Sequence, residues 1–182
     1  MHGLTRQITV ASAVFLMIVL NLFPEVFIAL VGANEPREFP IPMIPAGYTF
    51  LIWAPIFIGC AALAVYQAQP AQCNDSRFDM LAWPVILICL FNTLTRFIPV
   101  GLSIIIFASL LFSLAWAFLT VYHMGPQDKT FYWTTRIPLT IFFAWATVAT
   151  VVNVGQVLSR LNWTGFGIAA TTWIALLLVV AT

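Results

Sequence analysis

The chain has 182 residues, of which 62% are hydrophobic and only 7% are charged. Soluble domains carry about a quarter charged residues, so this composition excludes an ordinary water-exposed surface and indicates a membrane protein. Seven basic and six acidic residues nearly cancel, which gives no reason to expect a nucleic acid partner. Because backbone polar groups must be satisfied within lipid, the sequence predicts an all-α, polytopic membrane bundle that contacts the lipid bilayer.

Six stretches come near the length of about 20 apolar residues that a helix needs to cross the hydrocarbon core. In the first stretch, Pro24 is expected to kink the helix or to end it early. Polar turns are expected at 70–79 and 125–133, and shorter joints elsewhere predict antiparallel neighbours. The six predicted helices are residues 9–30, 48–67, 80–97, 102–122, 137–158 and 165–182.

The fifth stretch contains FFAWATVATVVNVGQ, residues 142–156, in which polar side chains interrupt an apolar run. At 100° per residue, Trp145, Ala149 and Gln156 share one helix face and Asn153 lies at its edge. The threonines point elsewhere, where a hydroxyl can bond the carbonyl one turn back. Two interpretations stay open. The amides bond neighbouring helices, or the face lines a cavity for a flat apolar ligand with polar edges.

The second stretch opens with PAGYTFLIW, residues 45–53, whose aromatic side chains are Tyr48, Phe50 and Trp53. Tyrosine and tryptophan gather at membrane interfaces, so this cluster predicts either a membrane anchor or a second aromatic wall of the same site.

Glu25 and Arg96 are the charges closest to the apolar runs. An ionisable residue within the membrane is a functional candidate, but both lie near prolines at predicted helix ends and can also snorkel to the interface. Asn92 lies one turn before Arg96 and is expected to reach across the bundle.

Small residues predict close helix packing at Ser109, Ser113 and Ala117 on the fourth helix and around Gly59 on the second. No arrangement of side chains indicates catalysis or a metal site. The two histidines lie at the N-terminus and at a helix end, and the three cysteines lack a metal-binding spacing. We therefore expect a protein that is not an enzyme.

These residues resemble the TspO/MBR family, the tryptophan-rich sensory proteins related to the translocator protein, and are most similar to its longer, divergent bacterial branch. PAGYTFLIW followed by AVYQ (64–67) resembles the opening of the family's second helix. Phe91-Asn92 is similar to the family's Leu-Asn step on the third helix. WATVATVVN (145–153) is similar to the fifth-helix pattern of tryptophan, small hydroxyl residue, Ala-Thr and asparagine. The resemblance covers about residues 5–160.

The resemblance implies a five-helix membrane bundle, often dimeric, that binds porphyrins and other flat apolar ligands beneath the loop after the first helix. It therefore predicts two regions, a TspO-like bundle over 1–160 and an additional transmembrane helix over 161–182. It also implies a bacterial cytoplasmic or intracytoplasmic membrane. Matched by position, and with Gln156 added from the helix projection, the candidate ligand-binding residues are Trp53, Asn92, Trp145, Ala149, Asn153 and Gln156.

Three departures from the family pattern concern the ligand more than the fold. The loop FPIPMIPAG lacks the family's porphyrin-contacting tryptophan, Thr95 stands where tryptophan is common, and a sixth apolar segment follows the core. We expect a protein that binds a hydrophobic small molecule, with a tetrapyrrole as the candidate ligand, for sensing or transport. The alternative is an accessory or structural subunit of a larger membrane complex, such as a photosynthetic pigment–protein complex.

Overall fold

In the computed structural model the described residues are 3–23, 47–98, 100–125 and 127–160, together with 167 and 172. Of residues 100, 101, 156, 159 and 160 only the backbone is described. Within this part of the chain, five helices are long and apolar enough to cross a bilayer, which confirms the all-α membrane fold. Pro24, Glu25 and nearly all of the predicted sixth helix, 165–182, lie outside the described residues, so the sixth helix stays a prediction.

Short connections join the second helix to the third, the third to the fourth and the fourth to the fifth, whereas residues 24–46, between the first and second helices, lie outside the described residues. A 3₁₀ turn, Gly47–Ile52, leads directly into the second helix, and a π-helical turn, Tyr132–Arg136, lies near the start of the fifth. The helices are α1 (Gly3–Leu22), α2 (Trp53–Gln67), α3 (Ser76–Leu94), α4 (Val100–His123) and α5, which comprises Lys129–Phe131, the π-helical turn and Ile137–Arg160.

The predicted starts of α1, α3 and α5 are wrong, because all three helices begin several residues earlier than the apolar runs do. Asp75 and Asp128 cap α3 and α5, where their carboxylates accept hydrogen bonds from the backbone N–H groups of Arg77 and Phe131. Such caps satisfy the donors of a first helical turn. These first turns are polar, so a search for apolar length alone does not include them.

The five helices close into a ring in the order α1, α2, α5, α4, α3, in which each helix packs against two neighbours. Buried apolar side chains such as Met17, Ile56, Leu114 and Phe142 fill the interior. Large apolar side chains such as Phe15, Ile58 and Phe112 are exposed on the outer surface. In a bilayer this surface contacts lipid, so its exposure carries no hydrophobic penalty.

Small residues bring the helices together, as the sequence predicts. Ser113 and Ala117 are buried within the bundle. Gly59 of α2 lies against Pro138 of α5 so closely that an added Cβ would come within 2.6 Å of the proline Cβ. Close approach of this kind stabilises helix pairs in lipid, where van der Waals contact replaces the hydrophobic effect.

The two ends of the bundle differ in how their polar groups are used. At the end where α1 begins, which we call the N-terminal end, Gln7 and Gln67 each donate a hydrogen bond to the other's backbone carbonyl at 3.0 Å or less. Arg6 is fully buried there and pairs with Asp79 at 2.7 Å. This tightly bonded end leaves the opposite end, where α2 and α4 begin, as the place for a cavity.

Candidate functional site

A cavity of about 350 Å³ lies at the opposite end of the bundle, which we call the cavity end, between α2, α3, α4 and α5. Its walls are mainly apolar, and they include aromatic side chains from three of these helices and the amides of two asparagines. The structure brings five of the six predicted site residues to this one cavity, namely Trp53, Asn92, Trp145, Ala149 and Asn153.

The sixth predicted residue, Gln156, is described only by its backbone, so the position of its amide stays a prediction. The threonines of the same helix behave as the sequence predicts. Thr147 and Thr150 donate hydrogen bonds to the carbonyls of Phe143 and Ala146, one turn back, at 3.0 and 2.7 Å. Their hydroxyls are therefore committed to the backbone of α5.

Two tryptophans form an aromatic corner of the cavity. The rings of Trp53 and Trp145 meet edge to face, with centroids 6.2 Å apart and planes at 82°. Phe50 contacts Trp145 in the same way at 6.3 Å, and Phe142 contacts Trp53 at 5.8 Å. Edge-to-face packing holds ring planes in a fixed relation. Two aromatic residues of the PAGYTFLIW cluster, Phe50 and Trp53, thus contact the fifth helix, whereas Tyr48 is exposed as a membrane anchor would be.

Trp145 lines the cavity and carries an indole N–H without an acceptor among the described residues. Its Nε1 is buried and has no hydrogen-bond partner within the described part of the chain. Buried indole N–H groups are normally paired, because burying a donor without an acceptor is unfavourable. The small side chain of Ala149, one turn further along α5, leaves space beside this ring.

The asparagines bond neighbouring helices and also line the cavity, so the two interpretations of these amides are compatible. Ser103 of α4 donates a hydrogen bond to Asn153 Oδ1 at 3.2 Å. Asn21 of α1, which packs directly against α3, donates to Asn92 Oδ1 at 3.1 Å, so Asn92 bonds an adjacent helix and does not reach across the bundle. In both side chains the oxygen is used in cross-helix contacts.

Sequence reasoning missed the involvement of Asn21 and Ser103, and left Arg96 undecided. Arg96 is exposed at the end of α3, lines the cavity and donates from Nε to Asn21 Oδ1 at 3.2 Å. Its guanidinium therefore belongs to the site as well as to the helix end. The signal for Asn21 was present in the sequence, because an asparagine within the apolar run MIVLNLF needs a polar partner.

The polar side chains of the described cavity wall carry hydroxyl, amide, indole and guanidinium groups. Within residues 3–23, 47–98, 100–125 and 127–160, no cluster of histidine, cysteine, aspartate and glutamate has the arrangement of a metal site. The described cavity residues include neither a histidine nor a carboxylate.

A protein-family comparison matches residues 7–182 to the family of TSPO-like proteins. The chain belongs to the TSPO-like protein family. This confirms the resemblance that the motifs of the second, third and fifth helices indicate. The match also continues past the five-helix region through residue 182, further than the resemblance over 5–160 reached. The proposed division of this TSPO-like protein at residue 160 stays a prediction.

No curated protein and no solved structure matches this TSPO-like chain significantly. Its family membership therefore rests on the pattern of the whole sequence. The site described above rests on the geometry of this chain.

Proposed function

We propose that this TSPO-like protein is a membrane-embedded binding protein for a flat, mainly apolar small molecule, which it holds for sensing or transport. The observation that carries the proposal is the open space beside the Trp53–Trp145 corner, whose described wall is mainly apolar and includes the side chains of Asn92 and Asn153. Aromatic walls can contact a ring system on its face or edge, and the polar groups can orient it.

The size and polarity of the cavity fit this role. Small-molecule sites usually occupy about 300–1,000 Å³ and combine apolar walls with a few polar groups, and the described cavity of about 350 Å³ has this character. We propose a tetrapyrrole as the first ligand class to test, because the family resemblance implies porphyrin binding. The missing loop tryptophan and Thr95 change individual contacts of such a ligand, while Trp53, Trp145 and Asn153 are retained.

We propose binding without a chemical step, in a bacterial cytoplasmic or intracytoplasmic membrane, by a homodimer. The alternative of an accessory subunit depended on a cavity plugged by the protein's own side chains and on contacts of the last helix. The open cavity supports a binding protein, and the role of residues 165–182 stays a prediction.

The test is a titration of the purified protein in nanodiscs with protoporphyrin IX, followed by tryptophan quenching and by porphyrin absorbance. Trp145→Ala is expected to weaken binding by tenfold or more, because truncating a buried aromatic anchor costs about 2 kcal/mol. Trp133→Ala is the matched control. It removes one fluorophore from the N-terminal end, where the side chain is 65% exposed and far from the cavity.

Trp145→Phe separates the ring from its N–H group, since it keeps an aromatic wall and removes the donor. We expect an intermediate loss of affinity for this variant. Equal affinity in the wild-type protein, Trp145→Ala and Trp133→Ala would contradict binding at this cavity, even if porphyrin associates with the membrane.

A further inference from the structure

The described acidic side chains at the N-terminal end of the bundle are engaged by two arginines. Within the described part of the chain the acidic residues are Asp75, Asp79 and Asp128, which lie at the starts of α3 and α5. Asp79 pairs with Arg6 at 2.7 Å. Asp75 and Asp128 both pair with Arg77, at 2.7 and 3.1 Å. Each described carboxylate at this end therefore already has a cationic partner.

Two further cations of α5, Lys129 and Arg136, lie at the same end without an ion-pair partner among the described residues. The neighbouring carboxylate of Asp128 is occupied, because its two oxygens accept hydrogen bonds from the Phe131 N–H and from Arg77. Lys129 is exposed, and Arg136 is partly exposed. This end of the bundle thus presents two positive charges that no described carboxylate neutralises.

These two cations flank a pair of exposed aromatic side chains. Tyr132 and Trp133 meet edge to face with ring centroids 5.6 Å apart, and they are 38% and 65% exposed. Phe131 beside them is fully buried, so α5 turns one side toward the bundle here and another toward lipid. Lys129 lies about one turn before the two rings, and Arg136 about one turn after them. Lys129, Tyr132, Trp133 and Arg136 together form what we call the α5 basic surface.

The guanidinium of Arg136 is directed toward the membrane interface. Its central carbon lies 5.7 Å from the centre of the Tyr132 ring, which is one turn nearer the start of α5. This distance is within the range of a cation–π contact. The backbone of Arg136 lies seven residues beyond Lys129, or about 10 Å further along the helix axis. A long cationic side chain at such a depth extends toward the headgroups, and the Tyr132 ring holds it in that direction.

An anion at the depth of the lipid phosphates would complete this surface. A cation near the hydrocarbon is costly unless an anion pairs with it, and tyrosine and tryptophan collect at the headgroup level. Phospholipids place a phosphate at that level, and each basic residue near an anionic lipid surface adds to the attraction. A free phosphate ion could pair with the cations, but it would leave the exposed rings unused. The combination of cations with interfacial aromatic rings therefore favours a lipid.

We propose that the α5 basic surface binds the headgroup of an anionic phospholipid, with Lys129 and Arg136 contacting the phosphate and Tyr132 positioning the guanidinium. A headgroup with a net negative charge brings no ammonium group to oppose these cations, whereas phosphatidylcholine carries one beside its phosphate. The inference goes beyond the proposed function, because the cavity lies at the opposite end of the bundle and shares no described residue with this surface.

The experiment is native mass spectrometry of the purified, delipidated protein in a mild nonionic detergent. Phosphatidylglycerol and phosphatidylcholine with identical acyl chains are titrated separately, and the affinities for the first bound lipid are compared. The wild-type protein is expected to bind phosphatidylglycerol about tenfold more tightly, since two basic residues contact the headgroup. Lys129→Gln/Arg136→Gln is expected to bring the two affinities within about twofold of each other, while helix content stays as in the wild-type protein. Lys129→Gln and Arg136→Gln, each alone, should lower the preference by about threefold.

Arg160→Gln is the matched control, because it removes one positive charge from the other end of α5. It should leave the preference unchanged, which separates a local site from attraction by net charge. Lys129→Arg/Arg136→Lys keeps both charges and should retain most of the preference. Inorganic phosphate, added at the concentration of the lipid, should not displace phosphatidylglycerol, because it cannot contact the cations and the aromatic rings together.

Equal affinity for the two lipids in the wild-type protein overturns the proposal, and so does a preference that survives the double substitution to glutamine. A loss of preference in Arg160→Gln as large as in Lys129→Gln or Arg136→Gln would show attraction by net charge alone and overturns the site. Displacement by inorganic phosphate overturns the lipid as the partner. None of these results affects the porphyrin titration of the cavity, which is measured separately, so this inference can fail while the proposed function stands.

Discussion

Arg6 of α1 and Asp79 of α3 form a buried ion pair of 2.7 Å at the N-terminal end of the bundle. The arginine side chain is fully buried and also donates to the backbone carbonyls of Gln72 and Asp75. One guanidinium thus satisfies two carbonyls in the connection between α2 and α3, together with a carboxylate on the third helix. The contact joins α1 to α3, which are neighbours in the ring.

Arg6→Met is expected to destabilise the protein by about 3 kcal/mol. This is the lower end of the usual range for removing one partner of a buried ion pair, because Asp79 keeps some exposure to water. Thermal unfolding in detergent, followed by circular dichroism, measures the change. Arg6→Met/Asp79→Leu should recover part of the loss, since it removes both charges of the pair. Lys129→Met is the control for removal of one exposed positive charge. An Arg6→Met protein that unfolds at the wild-type temperature would show that the pair is not needed.

Gly59→Ala is expected to weaken the α2–α5 contact, because the new Cβ would lie 2.6 and 2.7 Å from two side-chain carbons of Pro138. Overpacking costs about 1–3 kcal/mol, whereas the higher helix propensity of alanine returns at most about 1 kcal/mol. A net loss of stability should therefore appear in thermal unfolding. Gly47→Ala is the matched control, since no atom lies within 4 Å of its added Cβ. A stabilised Gly59→Ala protein would mean that the two helices move apart at little cost.

The fold and one wall of the site could be predicted from the sequence because both depend on local patterns. Apolar length located the five spanning helices, and the helical period placed Trp145, Ala149 and Asn153 on one side of α5. The helix starts were missed, since Asp75 and Asp128 cap polar turns that lie outside the apolar runs.

The contacts between helices could not be predicted in this way, because they depend on the order of the ring. Asn21 and Asn92 lie 71 residues apart in sequence, and Asn21 and Arg96 lie 75 apart. Only the packing of α1 against α3 brings them together. Periodicity within one helix contains no information about which partner its polar residue meets.

A third prediction concerns pH and the carboxylates around Arg77. The Arg77 guanidinium bonds Asp75 at 2.7 Å and Asp128 at 3.1 Å and lies 4.5 Å from the centre of the Phe131 ring. The hydrogen bonds from the Arg77 side chain hold the pKa of Asp75 below its ordinary value of 3.8. The pKa of Asp128 is lowered chiefly by the backbone N–H of Phe131 and then by Arg77.

A carboxylate whose pKa is lower in the folded state than in the unfolded state stabilises the protein at pH values above its unfolded-state pKa. This stabilisation is lost as the pH falls through the folded-state pKa. The unfolding temperature should therefore fall as the pH is lowered from neutrality through 3.8 and below. Arg77→Met should be less stable than the wild-type protein at neutral pH, and the difference should narrow in acid. Parallel pH profiles for the two proteins would show that Arg77 does not stabilise these carboxylates.

A fourth prediction uses the three cysteines as reporters of the bundle. Cys60 and Cys89 are buried in α2 and α3, whereas Cys73 is partly exposed in the turn between these helices. Thiol reagents attack the thiolate, which forms only where water has access. A membrane-impermeant maleimide should therefore add one label to the folded protein in nanodiscs and three labels after denaturation in detergent.

Cys73→Ser should abolish labelling of the folded protein. In sealed vesicles, labelling of Cys73 reports the side of the membrane on which the α2–α3 turn lies. Labelling at Cys60 or Cys89 before denaturation would mean that the helices separate enough to admit water, in conflict with the packed interior described here.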